Sequence, residues 1–164
     1  MIVISDTSPL NYLILVGHAE LLPRLFGEVL IPQIVLDELG GSGAPSEILD
    51  WLSSIPEWLK IKEAKSAATI DLTHLDPGER DAILLAKEVS ADLVLLDDRR
   101  ARIAAKQLGL SITGTIGILD KAARAGLINV REVVKKLTET DFYISGNSYK
   151  ICFTINRTSS YASD

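Results

Sequence analysis

Residues 75–109 read LDPGERDAILLAKEVSADLVLLDDRRARIAAKQLG. The stretch parses as helix, turn, strand, turn, helix. Asp76 stands where a helix N-cap belongs and Pro77 where the first helical residue belongs. Ala82, Ile83, Leu85 and Ala86 then recur at helical spacing as a small apolar face. Ser90-Ala91-Asp92 breaks the helix. Leu93-Val94-Leu95-Leu96 is wholly apolar, as a strand buried on both faces needs to be. Asp97-Asp98 ends that strand, and the next helix carries Arg99, Arg100 and Arg102. In an open parallel sheet, ligands bind outside the carboxyl ends of the strands. Two acids at such an end mark a candidate site.

The same alternation extends in both directions. Ile2-Val3-Ile4 reads as a first strand with Asp6 just past its end. Ser8-Pro9 reads as the cap and first turn of a helix running to Gly17. His18 to Phe26 is a second helical piece, interrupted by Pro23. Val29-Leu30-Ile31 is a short strand. Pro32 opens a helix with Ile34, Val35, Leu36, Glu38 and Leu39, which Gly40-Gly41 stops. Pro45 starts another, with Ile48, Leu49, Trp51 and Leu52 on its buried side. Leu59 to Lys62 alternates like an edge strand, and residues 65–74 read as a loop. Beyond the central stretch, Leu110 to Thr113 is a strand, Thr115 to Arg124 a helix, and Asn129 caps a last helix. Strands alternating with helices predict an α/β fold: a Rossmann-like parallel-sheet α/β/α sandwich with right-handed crossovers. Composition shifts after Asp141. The expected division is a domain over 1–141 and a partly disordered C-terminal appendage over 142–164, where Ile151 to Ile155 alternates like a strand.

Composition narrows the chemistry. The 164 residues suffice for one domain with a full core. Hydrophobic residues make up 47% and aromatics only 5%, so the core is Leu, Ile, Val and Ala. A net charge of −5 offers no global attraction for nucleic acid, so such a partner needs a local basic surface. Cys152 is the single cysteine, which excludes an intrachain disulfide and a Cys-rich zinc site. His18 and His74 are too few for a His-rich metal site. No apolar run approaches the ~20 residues of a membrane span. Met1 leads into a strand without a basic and then apolar leader. The expectation is a cytoplasmic protein in a reducing compartment, without a membrane partner.

Four carboxylates stand out by position: Asp6, Glu38, Glu79 and Asp97. Asp6 and Asp97 follow apolar strands directly, and parallel strands align their carboxyl ends. Glu38 lies beside Val35 and Leu39 on the face that packs inward. Glu79 is in the first turn of its helix, on the stripe that Ile83 and Ala86 continue. Four carboxylates in one cleft cannot all stay ionised without a cation. A hard divalent ion, Mg²⁺ or Mn²⁺, takes oxygen ligands and would resolve that conflict. With no candidate His or Cys nucleophile, metal-assisted phosphodiester hydrolysis suits the set best. Each residue also has a plainer reading. Asp76-x-x-Glu79 forms a capping box by spacing alone. Asp6 and Asp97 are also turn residues, and Glu38 is also a solvated helix residue. Asp81 and Asp98 fit helix-dipole partners or caps better than ligands.

These residues resemble a known family. Strand-Asp6-Thr7-Ser8, Pro32-x-x-Val35-x-x-Glu38-Leu39, Gly78-Glu79-x-x-Ala82-Ile83 and Leu95-Leu96-Asp97-Asp98 look like the PIN domain. Asp97-Asp98 with Ala101-Arg102, and Gly114-Thr115-Ile116-Gly117-Ile118-Leu119, resemble its prokaryotic VapC-like branch. The resemblance runs over residues 1 to 140 in order. It implies a PIN-like fold and a metal-dependent ribonuclease specific for single strands. Such proteins are often homodimers and often the toxin of a toxin–antitoxin pair. The family's acidic quartet falls on Asp6, Glu38, Glu79 and Asp97, as catalytic residues and as ligands of Mg²⁺ or Mn²⁺. Asp81 competes with Glu79 for the third place. In VapC proteins a small residue follows the third acid by about seven positions and the strand-end acid by about eighteen. Counted from Glu79 these are Ala86 and Asp97; counted from Asp81 they are Glu88 and Arg99. Glu79 is the better match, with Asp81 and Asp98 as secondary candidates. Thr7 or Ser8 matches the family's hydroxyl beside the first acid. Two departures stand: the third acid is Glu where many VapC toxins have Asp, and the chain after Asp141 matches no family ending.

Arg99, Arg100 and Arg102 follow Asp97 on one helix as candidate contacts for RNA or an antitoxin. Arg99 or Arg100 is expected to bind RNA phosphate or an antitoxin carboxylate, and Arg102 to brace the site by pairing with an acid. The plainer reading is a solvated surface or ion pairs with Asp98 and Glu88. The alternative to an enzyme is a non-catalytic nucleic-acid-binding or regulatory PIN-like module. Retention of all four acids favours the enzyme. A phosphoacceptor receiver domain also clusters acids at strand ends. It wants a Lys after a late strand, and Ile112-Thr113-Gly114-Thr115 supplies none.

Overall fold

The computed structural model describes residues 1–65 and 71–144. The expected strand at Ile151 to Ile155, and the appendage beyond residue 144, lie outside the described residues. Five strands form one parallel sheet: β1 (Val3–Ser5), β2 (Val29–Ile31), β3 (Leu59–Ile61), β4 (Leu93–Leu95) and β5 (Ile112–Thr113). Among the described residues, eight helices connect and flank them: α1 (Thr7–Leu15), α2 (Leu21–Phe26), α3 (Gln33–Leu39), α4 (Ser46–Leu52), α5 (Pro77–Glu88), α6 (Arg99–Gln107), α7 (Thr115–Arg124) and α8 (Val130–Thr138). The spatial order is β3-β2-β1-β4-β5. The chain builds outward from β1 to β3, then returns through α5 to place β4 on the other side of β1. That reversal between β1 and β4 opens a crevice at their carboxyl ends, where α/β sheets of this kind bind ligands.

Period-two alternation splits the core between the two faces of the sheet. Val3, Val29, Ile31 and Leu95 join Leu10, Leu13, Val35, Ile48, Ile118 and Leu119 on one face. Ile4, Val94 and Leu96 join Ile83, Leu85, Ala86, Ala101, Ala104 and Ala105 on the other. The alanines of α5 and α6 let those helices lie close to the sheet. The result is the α/β/α sandwich expected from the element pattern.

Two local expectations need correction. The Ser8-Pro9 cap is displaced: α1 begins at Thr7 with Asp6, in an extended conformation, at the cap position. Pro9 is still within the first turn, where its missing N–H costs nothing. Leu49 is 50% exposed, while Ile48 carries the burial of α4. Residue 65 and residues 71–74, the described part of the loop expected over 65–74, carry neither helix nor strand, and Leu72, with Leu75 just beyond, is buried in the core beside Ile83 and Leu85. They anchor the entry to α5 by hydrophobic contact.

Candidate active site

The crevice between β1 and β4 brings Asp6 and Asp97 together. Ser5 is in register with Leu95, and the Asp6 N–H donates to the Leu95 carbonyl at 3.0 Å. Both acids therefore leave neighbouring strands at the same edge. Glu38 and Glu79 reach that edge from helices. The Thr7 hydroxyl donates to Glu38 Oε2, and the Gly78 N–H donates to Glu38 Oε1 at 3.0 Å. Glu38, expected on the inward face of α3, is instead exposed, and bridges the residue after Asp6 to the residue before Glu79. A Cβ on Gly78 would come 2.9 Å from Glu38 Cδ and 3.0 Å from Oε1. Only glycine leaves room for that carboxylate to lie on the α5 N-terminus.

Each acid has a distinct environment. Asp6 is 3% exposed, and its Oδ1 is buried without a hydrogen-bond partner. Burial raises its carboxyl from the ordinary value to about 7, against a lowering contribution from the Thr7 backbone N–H. The charges of Glu79, Glu38 and Asp97 add to the rise. Asp6 is therefore the point at which the fields of all four acids meet. Partial burial also raises Glu79 to about 7, with Asp98 and Asp76 adding and the Asp76 N–H and Arg100 opposing. Glu79 Oε2 accepts from the Asp76 N–H at 3.1 Å, its half of the capping box. Asp97 is raised by burial and lowered by Thr115 and by the charge of Arg102.

The remaining candidates separate. Asp98 caps α6, accepting from the Ala101 N–H at 3.0 Å, as the cap reading expects. Asp81 pairs with Arg80 at 3.2 Å. Ser8 is half-buried in the first turn of α1. Arg99 and Arg100 are exposed on the first turn of α6. Arg102 turns inward and donates from Nη1 to the Leu96 carbonyl at 2.9 Å, under the end of β4.

Sequence reasoning assigned no role to Thr115, to Gly78 or to Tyr12. The Gly-Glu and Gly-Thr pairs were visible as motifs, but their partners lie far away in the chain. Tyr12 donates to Asp141 Oδ1 at 2.8 Å and meets the Phe142 ring edge-on at 4.8 Å. Burial lifts its phenol to about 12, helped by Asp141 and by the charge of Asp97.

The donor set suits a hard divalent ion in chemistry: every donor is a carboxylate oxygen, one of them orphaned and buried. Its present arrangement is open. Among the described residues, no three acidic, His or Cys side chains are grouped closely enough to hold a metal. Glu38 and Glu79 each have an oxygen hydrogen-bonded to a helix N-terminus or to Thr7. Asp6 and Asp97 would hold a metal from the strand ends, with Glu38 and Glu79 at the rim of the same crevice.

The family model of the PIN domain, DUF3368, matches residues 2–154. The chain belongs to the PIN-domain family, whose members are typically nucleases that use divalent metal ions. A solved structure, a PilT N-terminus domain protein from the hyperthermophilic archaeon Sulfolobus solfataricus P2, is 18% identical. The similarity covers 88% of this chain and 100% of that one, with a TM-score of 0.48. Comparison with curated proteins returns no match. No helix among the described residues is long and apolar enough to cross a membrane.

Proposed function

We propose that the protein is a metal-dependent endoribonuclease that hydrolyses RNA phosphodiester bonds with Asp6, Glu38, Glu79 and Asp97. The observation that carries this reading is the state of Asp6. A carboxylate oxygen sealed from water, without a hydrogen bond, in a group that feels the charge of three further acids is a costly arrangement for stability alone. A divalent cation relieves that cost. Asp6 and Asp97 would hold it from the strand ends, with Glu38 and Glu79 completing the donor set from α3 and α5. A bound Mg²⁺ or Mn²⁺ supplies an activated water and stabilises charge on the phosphoryl group.

The chain's own residues do the rest. Thr7 and the Gly78 N–H keep the Glu38 carboxylate at the rim. Arg102 ties the end of β4 to α6 through the Leu96 carbonyl. Arg99 and Arg100, exposed beside the acids, meet RNA phosphates or the carboxylates of an antitoxin. Charge supports this placement: Arg100 already lies close enough to Glu79 to oppose its rise in pKa. A toxin role, with a protein antitoxin and a homodimeric assembly, follows from the resemblance to VapC-like proteins.

The test is cleavage of single-stranded RNA by the full chain with Mg²⁺ or Mn²⁺, against EDTA and against Asp6→Asn. Cleavage that needs the metal and is lost in Asp6→Asn supports the enzyme. RNA binding without cleavage under every condition would make the chain a binding module instead. Arg99→Ala combined with Arg100→Ala should weaken RNA binding and flatten its salt dependence by about two charges. An unchanged salt slope, together with unchanged antitoxin binding, would remove α6 from the interface.

A further inference from the structure

Asp97 is held by a single residue at both of its oxygens. The Thr115 backbone N–H donates to Oδ1 and the Thr115 hydroxyl to Oδ2, each at 2.7 Å. Thr115 is fully buried at the first position of α7. The turn before it comes very close. A Cβ on Gly114 would lie 2.7 Å from Asp97 Oδ1, 2.9 Å from Arg102 Nη1 and 3.2 Å from the Leu96 carbonyl oxygen. Gly114 has an ordinary extended backbone (φ −115°), so its glycine is there for space and not for conformation. Gly117 makes room in the same way for the Thr113 hydroxyl. The Gly114-Thr115-Ile116-Gly117 motif is thus a socket at the end of β5 that receives the acid at the end of β4.

We propose that Thr115 is the positioning residue of the acidic site, aiming Asp97 at the cleft by gripping both of its carboxylate oxygens. This rests on the metal-dependent nuclease reading above. An aspartate at a strand end has two free torsions. Two donors from one rigid residue fix both, and β-branching limits the rotamers of the threonine itself. Each carboxylate oxygen keeps a second acceptor direction, so the grip orients the group without exhausting it. The plainer role is that Asp97 merely caps α7, which has no side-chain cap and no acid in its own first turn. The two roles separate on metal affinity.

The experiment compares Thr115→Val, which removes the hydroxyl at nearly constant shape, with Thr115→Ser, which keeps it. Mn²⁺ is titrated calorimetrically into the metal-free full chain, and RNA cleavage is followed against Mg²⁺ with kcat and KM separated. Thr115→Val should bind Mn²⁺ roughly 10- to 100-fold more weakly, the usual loss when a group orienting a metal ligand is removed. Half-activation by Mg²⁺ should shift in parallel, with the RNA KM at saturating Mg²⁺ nearly unchanged. Thr115→Ser should restore Mn²⁺ affinity to within about threefold of the parent. If Thr115→Val does not fold, Thr115→Ala removes the hydroxyl without placing a methyl against the carboxylate, and the same loss is expected. Parental Mn²⁺ affinity and Mg²⁺ activation in the folded variant, whatever its melting temperature, would overturn the proposal and leave Asp97 a cap of α7. If the parent protein itself takes up no Mn²⁺ and cleaves no RNA, the nuclease reading falls and this proposal with it.

Discussion

Glu79 satisfies two descriptions at once. It accepts from the Asp76 N–H as the last member of a capping box, and its charge raises the carboxyl of Asp6. A cap and a ligand make different demands on the same oxygen, so substitution separates them. Glu79→Gln keeps the shape and the capping acceptor but removes the charge. We expect stability close to the parent's near pH 4 and modestly above it at pH 8 in the metal-free chain, where the ionised carboxyl is disfavoured, with a sharp fall in cleavage at limiting Mg²⁺, partly restored by excess metal. Asp81→Asn is the matched control and should stay active, because Asp81 is engaged with Arg80 at the surface. Denaturant melts and Mg²⁺-dependent rates measure both. An inactive Asp81→Asn beside an active Glu79→Gln would transfer the third acid to Asp81. Two fully active variants would remove α5 from the site.

Helix ends, more than helix faces, organise the acids. The α5 N-terminus receives Glu38 through the Gly78 N–H, and the α7 N-terminus receives Asp97 through Thr115. Gly78→Ala tests the first of these. The new methyl would collide with the far end of a flexible glutamate, which can swing away. The expected cost in stability is therefore small, about 1 kcal/mol for the lost hydrogen bond and partly offset by the better helix propensity of Ala. Cleavage should fall far more than stability. A variant with parental rates would show that Glu38 works equally well untethered. Local rules made most elements legible here: the short apolar strands, the helices after Pro32 and Pro45 and at Pro77, and the glycine stops fall where the pattern places them. Asp6 and Asp97 were legible because an acid directly after a buried run has one place to go. The tethers were not legible, since Glu38 and Gly78 are forty residues apart and meet only when α3 packs on α5. The start of α1 was misread because Ser8-Pro9 is a strong capping signal. The chain instead uses Asp6 at the cap position and withholds its side chain from capping, so a local rule is broken at the candidate site.

The site also sets how the whole molecule responds to pH. Burial raises Asp6 from 3.8 to about 7, with the charges of Glu79, Glu38 and Asp97 adding, and raises Glu79 from 4.5 to about 7, with Asp98 and Asp76 adding; burial alone raises Asp97. An acid whose folded value exceeds its unfolded value keeps a proton in the native state that the unfolded chain has released. Its contribution is therefore fully present below about pH 4 and is lost as pH rises to about 7. This is the reverse of the salt-bridged carboxylate that underlies common acid denaturation. Metal-free protein should lose stability across that window, with a limiting slope of about 1.4 kcal/mol per pH unit for each proton held only by the folded state. Asp6→Asn should flatten the decline and be more stable than the parent at pH 8, while the two should be similar near pH 4. A divalent ion competes with the same protons and binds only the folded site. At a hundredfold excess over its Kd, Mg²⁺ should return about 2.7 kcal/mol, with a larger effect at pH 8 than at pH 5 and full reversal by EDTA. Urea melts from pH 4 to 8, with and without Mg²⁺, measure all of this. Stability of the metal-free chain that stays level or rises between pH 4 and 7 would mean that the four acids do not share one field, and the cation would then have no charge conflict to relieve.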